Sequence, residues 1–81
     1  MDGPGQSRDE IVALLARRLT LGKRTGELKR EARLPILDPD REAAVLQRVA
    51  ALARQSELPA ESVEEIFREI VAMSRRAQED P

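Results

Sequence analysis

The sequence predicts an all-α fold of three helices, one long and two shorter. Apolar residues recur at steps of three and four in three separate segments, which is the spacing of one face of an α-helix. Pro35 and Pro59 separate these segments, because proline breaks a helix interior or begins a new helix. The sequence contains no run with the alternating pattern of a β-strand and no internal repeat.

The first helix is predicted from about Arg8 to Arg30, after a Gly/Pro-rich tail over residues 1–7 that we expect to be disordered. One face, apolar at its start and cationic at its end, consists of Ile11, Leu15, Arg18, Gly22, Thr25 and Lys29. Gly26 and Gly22 each cost up to about 1 kcal/mol relative to alanine. They indicate the close approach of another helix or a ligand, unless they simply weaken the helix.

The second helix has a sharply predicted start. Asp38 is a favourable N-cap and Pro39 fits the first helical position. The apolar face then consists of Val45, Leu46, Val49, Leu52 and Ala53, and the helix ends near Gln55. Glu42 is in register with that face, so its carboxylate is predicted to point toward the same side as the apolar residues.

The third helix is predicted from Pro59 to about Gln78, followed by a short tail over residues 79–81. Its apolar face consists of Val63, Ile66, Phe67, Ile70 and Val71, and Ser74 and Gln78 continue this face in phase. Hydrophilic side chains therefore occupy apolar-face positions on both the first and third helices: Arg18, Lys29, Ser74 and Gln78. Because burying an unpaired charge or amide is costly, this pattern predicts a polar, anionic ligand between the helices.

Composition excludes several kinds of site. The 81 residues correspond to one small domain and include no cysteine and no histidine, so the sequence predicts no disulfide and no metal site. Phe67 is the only aromatic residue, which argues against stacking on single-stranded nucleic acid. No segment has the length of a membrane span and the N-terminus lacks signal-peptide character, so a soluble cytoplasmic protein is expected.

Charge is distributed unevenly along the chain. Seven basic residues lie between Arg17 and Arg33, whereas five acidic residues lie between Glu57 and Glu69. This asymmetry suits packing of the first helix against the third, and it suits an anionic ligand on the first. A helical nucleic-acid binder is the alternative interpretation, but the basic residues lie on several helix faces, and we expect no nucleic-acid partner.

A long helix in so short a chain favours self-association. A chain of this size buries only about 60–65% of its unfolded surface, so its own core would be marginal. A two-fold homodimer with the first helices packed side by side would supply the missing burial. The alternative is a plain three-helix bundle from which one helix end protrudes.

Four blocks of residues resemble the all-helical class of chorismate mutases in both order and spacing. The blocks are Arg18, Gly26-Glu27-Leu28-Lys29, Asp38-Pro39-Asp40-Arg41-Glu42, and the segment from Phe67 to Gln78 that contains Ser74. The resemblance implies an intertwined helical homodimer over residues 8–78, with active sites lined by both chains. It also implies conversion of chorismate to prephenate by a Claisen rearrangement, in phenylalanine and tyrosine biosynthesis, without metal or cofactor.

The resemblance assigns roles to residues of this chain. Arg18 would bind one carboxylate of the dicarboxylate substrate, and Arg41 would help to position the substrate. Lys29 and Gln78 would donate hydrogen bonds to the ether oxygen as its C–O bond breaks, each worth on the order of 3 kcal/mol. Because Gln78 needs no proton to donate, we expect rates that vary little between about pH 6 and 8.

Glu42 and Asp38 would hold the ring hydroxyl of the substrate, and Ser74 would bond a carboxylate. Taken singly, these residues also have structural explanations: a first-turn acid for Glu42, an N-cap for Asp38 and a fraying helix end for Ser74. Likewise, Arg18 could extend from an apolar face, and Lys29 could suit a helix C-terminus.

Two departures from the family pattern are visible. A further arginine of the family falls here at about Met1, with Arg8 too far along the chain and Arg17 or Arg24 as possible substitutes. Losing one such contact would cost about 1.5–3 kcal/mol, so weaker binding or turnover than the family norm is expected. Thr25 replaces the usual aliphatic residue and is a candidate to bond the substrate or Glu42.

These departures leave alternative functions open. A mutase acting on 4-amino-4-deoxychorismate would suit Thr25, and an isochorismate–pyruvate lyase would use the same hydrogen-bond donors. A third alternative is a weakly active helical dimer that docks onto another enzyme of the shikimate pathway, which the missing arginine favours.

Overall fold

The computed structural model of the chain describes residues 3–79, which form three α-helices and no strand. Helix α1 spans Pro4–Glu31, α2 spans Pro39–Gln55 and α3 spans Ala60–Glu79. The predicted all-α fold, with one long and two shorter helices, is confirmed. Residues 1–2 and 80–81, which belong to the two predicted tails, lie outside the described range. Within that range, no helix is both long enough and apolar enough to cross a membrane.

Helix α1 begins four residues earlier than the sequence pattern predicts. Residues 4–7, expected to be part of a disordered tail, form its first turn. Pro4 occupies the first helical position, where its fixed φ suits the helix and its missing N–H is not needed. The N–H of Ser7 donates to the carbonyl of Gly3 at 3.1 Å, which closes the first turn of the helix.

The predicted N-terminus of α2 is confirmed. The carboxylate of Asp38 accepts a hydrogen bond from the backbone N–H of Arg41 at 3.1 Å, and Pro39 is the first helical residue. The cap satisfies one of the amide donors that every helix start leaves unpaired. It also fixes the orientation of the first turn of α2, which carries Arg41 and Glu42.

Helices α1 and α2 end in the same kind of turn. Arg33 and Glu57 adopt left-handed conformations, with φ of 58° and 59°. The N–H of Leu34 donates a hydrogen bond to the carbonyl of Lys29 in the last turn of α1, at 2.8 Å. The N–H of Leu58 likewise donates to the carbonyl of Ala53 in the last turn of α2, at 2.8 Å. These Schellman-type turns end the helices, and glycine is the residue usually found at the left-handed position.

Helix α3 lies in the centre of the fold and packs against both α1 and α2, whereas α1 and α2 do not pack against each other over the described residues. The prediction that the glycines of α1 mark a close approach is confirmed. A Cβ on Gly22 would lie 3.3 Å from the carbonyl oxygen of Ser74, and one on Gly26 would overlap the backbone of Gln78. The C-terminal halves of α1 and α3 therefore run side by side.

The core of the single chain is small. The buried apolar side chains are Val49, Ala50, Ala53 and Ala77, none of them larger than valine. The Cα radius of gyration is 14.4 Å, against about 12 Å for a compact chain of this length. Three residues of the predicted apolar faces are exposed in the single chain and so do not belong to its core: Ile11 at 56%, Leu52 at 42% and Ile66 at 60%.

Candidate active site

A cavity of about 450 Å³ lies between the C-terminal halves of α1 and α3 and the first turns of α2. This volume lies within the range of small-molecule sites in proteins. Every residue that the sequence predicts for the site lines this cavity: Arg18, Thr25, Lys29, Asp38, Arg41, Glu42, Ser74 and Gln78. Apolar contacts come from Leu21, Val45 and Val71. The packing of the helices thus brings together residues that are up to 60 positions apart in the chain.

Lys29 and Gln78 form a hydrogen-bonded pair at one end of the cavity. The Lys29 ammonium donates to the side-chain oxygen of Gln78 at 3.0 Å and to the carbonyl of Ile36 at 3.2 Å. An ammonium has three N–H donors and can accept nothing, so the oxygen of the Gln78 amide must face it. One Lys29 proton and the NH₂ group of Gln78 are therefore available to a ligand.

Two contacts hold the end of α3 against α1 at this point. Gly26 has no side chain, which allows the backbone of Gln78 to approach α1 closely. Arg30 then donates from its guanidinium to the carbonyl of Gln78 at 2.6 Å, satisfying an acceptor that the helix C-terminus leaves free. Neither residue was predicted as part of the site, although Gly26 belongs to one of the blocks on which the resemblance rests.

The two arginines of the cavity, Arg18 and Arg41, form no ion pair with any carboxylate in residues 3–79. The guanidinium of Arg18 lies 5.9 Å from the centre of the Phe67 ring, within the range of a cation–π contact. Arg41 lies on the exposed first turn of α2. Both guanidinium groups are therefore free to bind a carboxylate in the two-pronged geometry that arginine favours.

Ser74 presents a buried hydroxyl without a partner. Its Oγ atom is shielded from solvent and makes no hydrogen bond with any described residue. Leaving such a group unsatisfied costs about 1–3 kcal/mol. Ser74 lines the cavity, so this unpaired hydroxyl lies in the cavity wall.

Thr25 also lines the cavity, but its hydroxyl donates to the carbonyl of Leu21, one turn earlier in α1, at 2.9 Å. The predicted bond to Glu42 is therefore absent from the structure. The oxygen of Thr25 retains the capacity to accept a hydrogen bond.

Glu42 instead pairs with Arg75 of α3, whose guanidinium nitrogen lies 3.0 Å and 3.3 Å from the two carboxylate oxygens. Arg75 was not predicted from the sequence, because this residue is one position beyond Ser74 and off the face that runs through Ser74 and Gln78. Periodicity along one helix carries no signal for a partner 33 positions away on another.

The other cations considered as substitutes for the family's additional arginine do not line the cavity of the single chain. Arg24 pairs with Glu27 on the exposed side of α1 at 3.2 Å, and Arg8 lies near Asp9 at 3.9 Å. Arg17 is exposed and is not among the lining residues. Within residues 3–79, no group of three or more carboxylate, imidazole or thiol side chains is arranged to hold a metal ion.

The cavity thus offers three cationic side chains, Arg18, Lys29 and Arg41, with free hydrogen-bond donors from Lys29, Ser74 and Gln78. Such a set can fix the carboxylates of a small anion and stabilise negative charge that develops elsewhere on it. Those are the two requirements of a rearrangement in which a dicarboxylate is held in one conformer.

The chain is similar in sequence to known proteins. The bifunctional chorismate mutase/prephenate dehydratase of Aquifex aeolicus (strain VF5) is 37% identical over 67 residues, covering 79% of this chain and 18% of that protein. The T-protein of Haemophilus influenzae (strain ATCC 51907 / DSM 11121 / KW20 / Rd) is 34% identical over 65 residues, covering 80% of this chain and 17% of that protein. The chain therefore spans less than a fifth of the length of these relatives. The profile of the family described as Chorismate mutase type II matches residues 8–79, and the chain belongs to that family.

Proposed function

We propose that the chain catalyses the rearrangement of chorismate to prephenate, a step toward phenylalanine and tyrosine. The observation that carries the proposal is the Lys29–Gln78 pair, which presents free donors to the same cavity that holds two unpaired arginines. The reaction is an isomerisation: one ether C–O bond breaks, one C–C bond forms, and no atom or proton leaves. The protein therefore has to select a conformer and stabilise charge.

Substrate carboxylates would be held by Arg18 and Arg41, with the Ser74 hydroxyl donating an additional hydrogen bond. Two guanidinium groups on different helices can fix the distance between two carboxylates, which selects the folded, chair-like conformer of the substrate. The Ser74 Oγ supports this placement because it has no hydrogen-bond partner among the described residues and Ser74 lines the cavity. Glu42 and Asp38 have carboxylate oxygens that can accept from the ring hydroxyl.

The ether oxygen gains negative charge as its bond to the ring breaks. The free proton of Lys29 and the NH₂ group of Gln78 converge on the cavity and would both donate to that oxygen. Their mutual hydrogen bond holds the two donors in place before the substrate binds, which lowers the reorganisation required in the transition state.

The functional unit would be a homodimer. Leu14, Leu21 and Leu28 recur at heptad spacing along α1 and are 59%, 60% and 47% exposed. A stripe of this kind packs against another helix, and a second copy of α1 is the natural partner. Leu21 lies both in this stripe and in the cavity lining, so a partner helix that covers the stripe would also border the cavity.

The test is the loss of chorismate absorbance on addition of the purified protein. The chain contains no tryptophan and no tyrosine, so its own absorbance interferes little. Lys29→Ala should reduce turnover by roughly 100-fold or more, because it removes a transition-state donor. Arg18→Ala should both reduce turnover and raise KM, because it removes a contact with a substrate carboxylate. Arg48→Ala is the matched control, since it removes an exposed arginine of α2 that does not line the cavity and has no proposed role in the site.

Absence of turnover in the wild-type protein would contradict the proposal. Parallel assays with 4-amino-4-deoxychorismate and with isochorismate then separate the alternatives that share this cavity. A preference for the aminated substrate would assign the chain to that reaction instead, and turnover that requires a second shikimate-pathway enzyme would indicate a docking role. Equal losses in Arg48→Ala and Arg18→Ala would show that overall charge, not the cavity, is responsible.

A further inference from the structure

Arg75 of α3 forms an ion pair with Glu42 of α2, a residue that lines the cavity. Its guanidinium contacts both oxygens of Glu42, at 3.0 Å and 3.3 Å, across the interface between α2 and α3. The two side chains are only 34% and 26% exposed, so the pair is partly shielded from water. Glu42 lines the cavity, whereas Arg75 does not, and Arg75 therefore lies behind the carboxylate as seen from the ligand's position.

The charges of the cavity lining suggest a role for this ion pair in binding a dianionic substrate. The lining carries three cations and two carboxylates, which is a net charge of +1 facing a substrate with two carboxylates. The Glu42 carboxylate has no other hydrogen-bond donor among the described residues, so without Arg75 it would be an unpaired, half-buried anion beside a dianion. Like charges in a partly desolvated site repel strongly. With Arg75 included, the groups that this one chain supplies carry +2, against −2 on the substrate.

We propose that Arg75 is a positioning residue that neutralises Glu42 and orients its carboxylate, so that the cavity can accept a dianion. This inference rests on the proposed function, because it concerns the binding of the same substrate. A carboxylate bonded to one guanidinium keeps lone pairs that can accept from a substrate hydroxyl. Glu42 can therefore bind the ring hydroxyl while Arg75 offsets its charge.

The contribution of Arg75 to substrate binding should therefore depend on the charge of Glu42. If Arg75 acts by neutralising that carboxylate, it becomes dispensable once the carboxylate is an amide. If Arg75 instead contacts the substrate, its loss has the same effect whether residue 42 is Glu or Gln. A double-mutant cycle of Arg75→Leu and Glu42→Gln distinguishes these two cases.

The experiment measures kcat and KM for chorismate, together with the Kd for prephenate by calorimetry, in the wild-type protein and each variant. Arg75→Leu should raise KM and the prephenate Kd about tenfold and change kcat by less than about threefold, because repulsion acts on ground state and transition state alike. Arg75→Lys keeps the charge and should recover KM to within about threefold of the wild type. In the Glu42→Gln background, Arg75→Leu should change KM and Kd by less than about twofold.

Arg76→Leu is the matched control. It removes the same charge from the next position of α3, but Arg76 is exposed and makes no contact with Glu42. Its KM should stay within about twofold of the wild type. Melting temperatures of all variants are recorded at one protein concentration, so that a loss of folded protein is not mistaken for weak binding.

Two results would overturn the inference. One is an unchanged KM and Kd in Arg75→Leu. The other is a penalty in the Glu42→Gln background as large as that in the wild type, which would assign Arg75 to direct substrate contact or to folding alone. Failure of the proposed function has a different signature, namely a wild-type protein that neither turns over chorismate nor binds prephenate.

Discussion

Gly26 lies where the last turn of α3 meets α1, and no side chain fits there. A Cβ at this position would lie 2.7 Å from the Cα and 2.9 Å from the carbonyl carbon of Gln78, both of them backbone atoms. Alanine is the better helix former by about 1 kcal/mol, but forcing α3 away costs about 1–3 kcal/mol. Gly26→Ala should therefore lower stability by up to about 2 kcal/mol. It should also reduce kcat at least tenfold, because Gln78 moves away from Lys29.

Gly5→Ala is the control for that prediction. It is the same change in the same helix, but the nearest atom to a Cβ there is the end of the flexible Arg8 side chain at 3.5 Å. This variant should be neutral or up to about 1 kcal/mol more stable, with normal turnover. Urea unfolding at one protein concentration measures both variants. A Gly26→Ala protein as stable and active as Gly5→Ala would contradict the packing of α1 against α3.

Gln78 donates through an amide, which does not titrate, so the rate of the wild-type protein should be nearly flat between about pH 6 and 8. Gln78→Glu replaces the amide with a group that donates only when protonated, and the ordinary pKa of glutamate is about 4.3. Its kcat should therefore rise as the pH falls, by up to tenfold per unit in the range where the carboxylate predominates. A pH–rate profile of the two proteins checks this prediction. If both profiles are flat, Gln78 does not donate a hydrogen bond to the ether oxygen.

At the scale of helices, the ends of α1 and α2 show where the chain is conformationally strained. Glu57 ends α2 in a left-handed conformation that costs a residue with a Cβ about 1–2 kcal/mol. Glu57→Gly should raise the free energy of unfolding by about 0.5–1 kcal/mol, after allowance for the greater freedom of glycine in the unfolded chain. Urea unfolding measures the change.

Glu57→Ala removes the same carboxylate but keeps the Cβ, so it should give no such gain. Equal stabilities of the glycine and alanine variants would show that the turn after α2 relaxes away from the left-handed conformation. Arg33, at the corresponding turn after α1, permits the same comparison nearer to the cavity.

The helix boundaries also show which local signals can be interpreted from the sequence. Asp38 and Pro39 mark the start of α2 correctly, because a cap acts through atoms that are adjacent in the chain. The sequence pattern predicts the start of α1 four residues too late, because a Gly/Pro-rich stretch suggests a tail although proline is also favoured at the first helical position. The two glycines of α1 correctly predicted a close approach, but only the fold shows that α3 makes it.

For the whole molecule, the proposed homodimer would cover apolar surface that the extended single chain leaves exposed, so folding would be coupled to association. The long axis measures 44 Å, close to the length of α1, and Ile11, Val12 and Leu14 are each more than half exposed. If the folded protein is a dimer, its melting temperature should rise by roughly 3–5 °C for each tenfold increase in protein concentration. Calorimetry over a hundredfold range measures this, and a constant melting temperature would contradict a folded dimer.

Leu14→Glu tests whether α1 forms the interface. A carboxylate in an apolar helix–helix seam is desolvated without a partner, so the variant should dissociate and melt at a lower, concentration-independent temperature. Sedimentation equilibrium would report the mass directly. A Leu14→Glu protein that remains dimeric with an unchanged melting temperature would place the interface elsewhere.

The sequence by itself determined the number of helices, their periods, the cap of α2 and the faces that carry Arg18, Lys29, Ser74 and Gln78. All of these depend on neighbours within about four residues, and such local rules hold in any fold. The tertiary structure decided which groups meet: Lys29 with Gln78, Arg30 with the Gln78 carbonyl, and Arg75 with Glu42. Those contacts join residues 33 to 49 positions apart, and their geometry depends on how the helices pack, which periodicity along one helix does not encode.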